Sequence, residues 1–175
     1  MNHAHMKTDS SKKEYFKLFG IFFILAAAAT LMSTTVEFHW TDWMRWFMGG
    51  FFLVFGSFKL IGYEMFVKMF PQYDVIGRRY KLYNYLYPFI EISLGVAYIL
   101  DMAPLLRDSV TLTIMLVGAY GVSKGLARRG SFHCACLGGV IKLPLSTVTL
   151  LEDLIMAVMA ALMILAMVTG QVISP

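Results

Sequence analysis

Charge is what this 175-residue chain has least of: Asp, Glu, Lys and Arg make up 15% of it, against about 25% in an average soluble domain. With 58% apolar residues beside so few charges, the chain cannot clothe one water-soluble core, and the same numbers exclude intrinsic disorder. Cysteine is scarce as well. Two residues of that type cannot build a disulfide framework, so any sulfur chemistry is local. Alternating apolar and polar segments of about ten residues are missing, which excludes a membrane β-barrel. No internal repeat stands out at any obvious period. The net charge of +4 is carried by lysines and arginines dispersed among long apolar runs. That is how the flanks of membrane spans look, so nucleic acid is not an expected partner and the lipid bilayer is.

What the chain has instead is long apolar stretches, with a mean hydropathy of +0.66. A helix needs about 20 mostly apolar residues to cross a hydrocarbon core of roughly 30 Å. Five stretches meet this demand, at 16–36, 46–66, 85–100, 110–125 and 149–172. The expected fold class is therefore all-α, a polytopic membrane helix bundle of about five spans. It comprises a polar N-terminal tail over 1–15 and one transmembrane domain over 16–172. The first run has lysines before it and Ala27-Ala28-Ala29 within it, as a signal peptide would. It is longer than the roughly 7–15 apolar residues of a signal sequence and reads as a retained helix. The two histidines of Met1–Met6 read as part of a solvated tail.

Basic residues set a direction. Along the successive tails and loops they number four (Lys7, Lys12, Lys13, Lys17), one (Arg45), four (Lys68, Arg78, Arg79, Lys81), one (Arg107), four (Lys124, Arg128, Arg129, Lys142) and none. Lysine and arginine near span ends stay on the cytoplasmic side. The chain is thus expected in the cell (inner) membrane, with its N-terminus and fourth loop inside and its C-terminus outside. Trp40, Trp43 and Trp46 read as headgroup anchors at the outer face. Tyr73, Tyr80, Tyr83, Tyr85 and Tyr87 read the same way at the inner one.

Lys59 and Glu91 interrupt apolar runs. A charge at bilayer depth costs at least about 2.5–3.5 kcal/mol on insertion scales, so it faces the bundle and finds a partner. In antiparallel second and third spans both residues fall roughly 10 Å from the inner boundary, and they are expected to pair. Such a pair either fixes helix register or serves a proton or ion relay. Glu152 and Asp153 open the last span. Thr149 and Glu152 fit a capping box, whereas Asp153 points to a different face.

The chemistry-bearing segment is His133-Cys134-Ala135-Cys136-Leu137-Gly138-Gly139, which holds both cysteines. A Cys-x-Cys pair closes a small, strained ring, and strained disulfides are oxidising and labile rather than structural. His133, Arg128, Arg129 and Lys142 supply positive charge that favours thiolate. His133, Cys134 and Cys136 equally suit a soft metal such as Cu(I), and fall one ligand short of tetrahedral zinc. Met156, Met159, Met163 and Met167 share one face of the last helix, as packing material or as further thioethers. The run 132–143 is apolar enough for a re-entrant loop, provided protein covers its backbone.

Three stretches together resemble the MauE/DoxX-like group of small redox-associated membrane proteins, over about 45–170. They are Gly49-Gly-Phe-Phe-Leu-Val-Phe-Gly-Ser-Phe-Lys59, Tyr87-Pro-Phe-Ile-Glu91 continuing to Gly95, and Cys134-Ala-Cys136-Leu-Gly138 with Glu152-Asp153 downstream. The resemblance implies a DoxX-like four-helix core plus one helix. It also implies help with disulfide formation in methylamine utilisation, and a thiol–disulfide role for Cys134 and Cys136 at most. In that reading the two cysteines are catalytic, tuned by His133, with no cofactor required and a thioredoxin-like protein or cysteine-bearing client as partner. Two readings of other classes stand beside it. One is a soft-metal transport or delivery subunit, served by a metal-binding chaperone domain, with His133, Cys134 and Cys136 as ligands. The other is a non-catalytic scaffold subunit. The cytosol keeps thiols reduced, so an inward-facing dithiol suits a reductant or metal acceptor, while disulfide formation for export calls for access from outside.

Overall fold

The computed structural model describes residues 3–34, 38–72, 74–127 and 147–170. Every element among them is helical. In chain order these are α1 (His3–Ser33), α2 (Trp40–Ile61), α3 (Tyr63–Met69), a 3₁₀ turn (Phe70–Gln72), α4 (Val75–Arg79), α5 (Lys81–Ile99), α6 (Pro104–Ala127) and α7 (Thr147–Val168). Among the described residues four helices are long and apolar enough to cross a membrane, over Phe16–Ser33, Trp40–Ile61, Pro104–Gly125 and Leu150–Val168. The fifth long helix, α5, is diluted by Asn84, Pro88, Glu91 and its tyrosines. The result is a polytopic helical bundle of four to five spans.

Boundaries moved where glycine and local hydrogen bonding intervened. The second span opens at Trp40 and stops at Ile61, because the chain turns at Gly62, rather than running from 46 to 66. The helix containing the first span starts at His3 and so includes polar residues ahead of that span. At 1.5 Å per residue, α1 reaches roughly 46 Å and overshoots the hydrocarbon core.

Helices α2 and α5 run antiparallel and very close, which small residues permit. A methyl group added at Gly56 would meet Ile92 Cγ1 at 2.8 Å. One added at Gly95 would meet Leu53 Cγ at 2.8 Å and the Leu53 backbone nitrogen at 3.0 Å. At the far end, Arg45 Nη1 donates to the carbonyls of Tyr98 and Ile99, both at 3.2 Å. That charge compensates carbonyls left open at the end of α5. Pro88 removes one backbone donor from α5.

Helix α1 lies at the edge, and its Phe22 packs on Phe47, Phe51 and Phe55 of α2. On its other side Phe16 and Phe23 are 81% and 76% exposed. Hydrocarbon accepts that exposure as water does not. Helices α6 and α7 form the second antiparallel pair, with Gly118 set against Asp153. The common core collects Met48, Phe52, Tyr98, Met115, Met156 and Ala160.

Trp40 is 59% exposed and stacks on Trp43, whose indole donates to Thr30 Oγ1 at 3.0 Å. The tyrosines divide. Tyr80 and Tyr85 are exposed, but Tyr87 is buried and Tyr83 packs on Phe70 and Tyr87. These two are core residues rather than headgroup anchors; Tyr73 lies outside the described residues.

Replacing Gly95 by alanine drives a methyl into the α2 backbone rather than into a movable side-chain tip. Overpacking of this kind costs about 1–3 kcal/mol. Thermal unfolding in detergent should therefore show a lowered Tm for Gly95→Ala, while Gly20→Ala, where nothing lies within 4 Å, stays near the parent value.

Candidate functional site

The end of the bundle where α2 finishes and α5 begins is built from an unusual density of polar groups. Asp74 precedes α4, and its Oδ1 accepts from the Gly77 amide at 2.6 Å as an N-cap. Asn84 Nδ2 donates to the Gly77 carbonyl at 2.9 Å. A side chain at residue 77 would also run into the Phe70 ring, so the knot requires glycine. Asp74 and Asn84 are both buried. Burial pushes the Asp74 carboxyl above its ordinary value of 3.8, an effect partly offset by the amides of Gly77 and Ile76.

One turn deeper, Lys59 Nζ donates to Glu91 Oε1. Lys59 sits in the last turn of α2, nearer its helix end than equal spacing from the boundary suggested. The antiparallel packing still brings the two side chains together. They are 7% and 3% exposed. The ammonium also lies 4.9 Å from the Tyr87 ring centroid and 5.7 Å from that of Phe66, a cation–π arrangement that replaces part of its hydration. Glu91 Oε2 has no hydrogen-bond partner.

Both residues line a cavity of about 40 Å³ that is shared with Asp74, Tyr87, Glu152 and Asp153. Its apolar walls include Phe51, Phe55, Met115 and Val122. A water molecule needs roughly 10–15 Å³ of such space and two to four polar partners. The cavity therefore has room for a few waters. Helix α7 already runs from Thr147, which puts Thr149 inside its first turn. Thr149 therefore is not the N-cap of a capping box with Glu152, and the Glu152 side chain is buried against the cavity instead.

A second polar group occupies the opposite end. Arg107 Nε donates to Asp108 Oδ1 at 3.0 Å and its Nη1 to Asp101 Oδ1 at 2.9 Å. Its guanidinium lies 4.3 Å from the centre of the Tyr98 ring, and Tyr98 Oη meets Thr111 Oγ1 at 3.2 Å. Asp101 and Ala103 take positive φ values of 51° and 42° in the α5–α6 turn. This conformation costs a non-glycine residue energy, and the ion pair from Arg107 to Asp101 spans the same turn.

The sequence brought Lys59 and Glu91 into view but not Asp74 or the Arg107–Asp108 pair. An aspartate just ahead of a short Val-Ile-Gly segment is a cap signal, and adjacent opposite charges at the edge of an apolar run were the other available sign. Met156, Met159 and Met163 are buried packing residues of the core. Met167 lines a second cavity with Met163, Arg45 and Arg107. Among the described residues no three His, Cys, Asp or Glu side chains converge as metal ligands. His133, Cys134 and Cys136 lie outside the described residues.

An apolar multi-pass bundle with charges gathered inside it defines an integral membrane protein. The family model described as methylamine utilisation protein MauE matches residues 37–166. This chain belongs to that family, as a membrane protein of the methylamine utilisation type. Comparison with curated proteins and with solved structures finds no match for it.

Two outcomes follow from this geometry. Removing one partner of a buried ion pair strands the other charge and costs about 3–5 kcal/mol. Lys59→Met alone should lower Tm strongly in detergent, whereas Lys59→Met with Glu91→Leu should recover most of the loss. For Asp74 the folded state binds its proton more tightly than the unfolded chain does. Stability from this group is therefore full below 3.8 and declines as pH rises through the raised value. Asp74→Asn keeps an N-cap acceptor. The variant's unfolding curves, measured across that acidic range, should lose this part of the pH dependence.

Proposed function

We propose that this chain is a membrane thiol–disulfide exchange protein whose working groups are Cys134 and Cys136. The observation that carries the reading is the position of the Cys-x-Cys segment in the sequence. The two cysteines of the chain are two residues apart within the span matched by the MauE family model. The segment joins two helices that both border the charged cavity, through Val122 on α6 and Glu152 and Asp153 on α7.

In the exchange, the thiolate of one cysteine attacks a partner disulfide and releases one partner thiolate. The second cysteine then attacks the mixed disulfide, forming the Cys134–Cys136 bond and leaving the partner as a dithiol. The electron pair passes to the partner, and the reverse sequence oxidises a cysteine-bearing client. His133 and the nearby Arg128, Arg129 and Lys142 favour thiolate at the attacking sulfur. A thioredoxin-like protein fits as the redox partner. The alternating lysine and arginine counts support a cell-membrane topology with this segment on the cytoplasmic side and the C-terminus outside.

Cys136→Ser should trap a mixed disulfide with the partner, visible as a reductant-sensitive adduct on a denaturing gel, and the double serine variant should trap none. In intact cells a permeant maleimide should label the resting dithiol, lose that labelling under an imposed oxidising poise and regain it after reductant, and an impermeant one should not reach the segment. Full labelling without reductant at every redox poise, together with full activity of the double variant, would overturn the proposal.

A further inference from the structure

Among the described residues, the side chains lining the cavity at the α2–α5 end are unbalanced in charge. From α2 it receives one ammonium, Lys59. From the segment before α4 it receives Asp74, from α5 Glu91 and the phenol of Tyr87, and from α7 Glu152 and Asp153. Helix α6 contributes Met115, Gly118 and Val122, none of which is charged. The nearby basic residues Arg78, Arg79 and Lys124 are exposed at the surface. Among the described residues four carboxyl groups thus face one cation in a space with room for a few waters. Uncompensated negative charge at that depth is too costly to persist.

Two kinds of positive charge can balance it, a metal cation or protons. A cation needs several oxygens converging on one point, and no set of three acidic or other ligating side chains converges among the described residues. Protons need no such convergence, only acceptor oxygens within reach of water. Glu91 supplies one, since Oε2 is buried without a partner in a side chain 3% exposed. Asp153 reaches the cavity over Gly118, where an added methyl would stand 3.0 Å from its Oδ2.

We propose that this cavity is a proton site, in which Glu91, Glu152 and Asp153 hold the balancing protons over shared water, with Lys59 as fixed counter-charge. Among the described residues the polar lining extends to one side only, where Asp74, itself buried, reaches the cavity from the connection that follows α3. In the other direction Phe51, Phe52, Phe55, Leu94 and Met156 close the core. From Glu91 to Tyr98 is about 10 Å along α5, and the residues packed there are apolar. The site therefore exchanges protons with one face of the membrane and is no through-channel. This inference does not depend on the thiol reading, because every group it uses lies in the helices or beside Asp74.

The protein in lipid vesicles tests it, first as the wild type and then with two variants. Infrared spectra should show the carbonyl stretch of protonated carboxylic acid at neutral pH, shifted in D₂O and lost on raising the pH. A hydrophobic carbodiimide, which reacts with protonated carboxyl groups inside membranes, should modify a peptide carrying Glu91, Glu152 or Asp153, with yield falling as pH rises. Asp153→Asn and Glu152→Gln, each checked for an intact unfolding transition, should remove or shift part of the infrared band. Absence of the band in the wild type, or labelling confined to exposed Glu64 and Asp101, overturns the proposal. So does protection from labelling by sodium ions at constant pH, which would assign the site to a metal cation.

Discussion

The buried contact between Lys59 and Glu91 sets the terms for the rest of this bundle. Hydrocarbon offers neither charge a solvent, so α2 and α5 must lie where each side chain meets the other. A mutual contact through long side chains does not by itself demand close helices. The glycines at 49, 56 and 95 supply that part, since each lacks the methyl that would strike the facing helix. Register and distance are therefore fixed by different residues on the same interface. The Tyr87 ring beneath the ammonium then ties this pair to the aromatic cluster of Phe66 and Phe70.

Polar groups are segregated to the two ends of the bundle, with an apolar middle between them. At one end stand Asp74, Asn84, Lys59, Glu91, Glu152 and Asp153. At the other, Arg45, Arg107, Asp101, Asp108 and Thr111 satisfy the ends of α5 and α6. The exterior of α1 shows the complementary half of the same rule, because lipid places no penalty on its exposed phenylalanines. Membrane insertion thus explains the surface and the interior with one constraint: a polar group is kept where another polar group or the membrane face can meet it.

The MauE family match over residues 37–166 takes in both the Cys-x-Cys segment and every charged residue of the cavity. The thiol chemistry proposed for Cys134 and Cys136 belongs to the connection between α6 and α7. The proton chemistry proposed for the cavity belongs to Glu91 of α5 and to Glu152 and Asp153 of α7, with Lys59 of α2 as their counter-charge. Thiol–disulfide exchange depends on thiolate, and hence on where protons are held. A proton site in the same chain is chemically apt, yet each stands on separate residues and can fail alone.

Composition and apolar run length were sufficient to read a helical membrane protein, because the hydrocarbon core imposes a length and a polarity that any spanning helix must show. The partnership of Lys59 and Glu91 was legible too, since a lone charge in an apolar run has few tolerable fates. Helix ends were not: α2 stops at Ile61, where the chain turns at Gly62, and α7 begins ahead of Thr149, neither of which hydropathy registers. Nor did the chain order reveal that Asp74, Glu152 and Asp153 line the same cavity as that pair. Linear spacing relates residues on one helix, whereas four segments meet here only after the antiparallel pairs have packed. The sequence by itself determined that charges must be hidden from lipid; the tertiary structure decided which of them share one enclosure, because proximity between helices is set by how their surfaces fit.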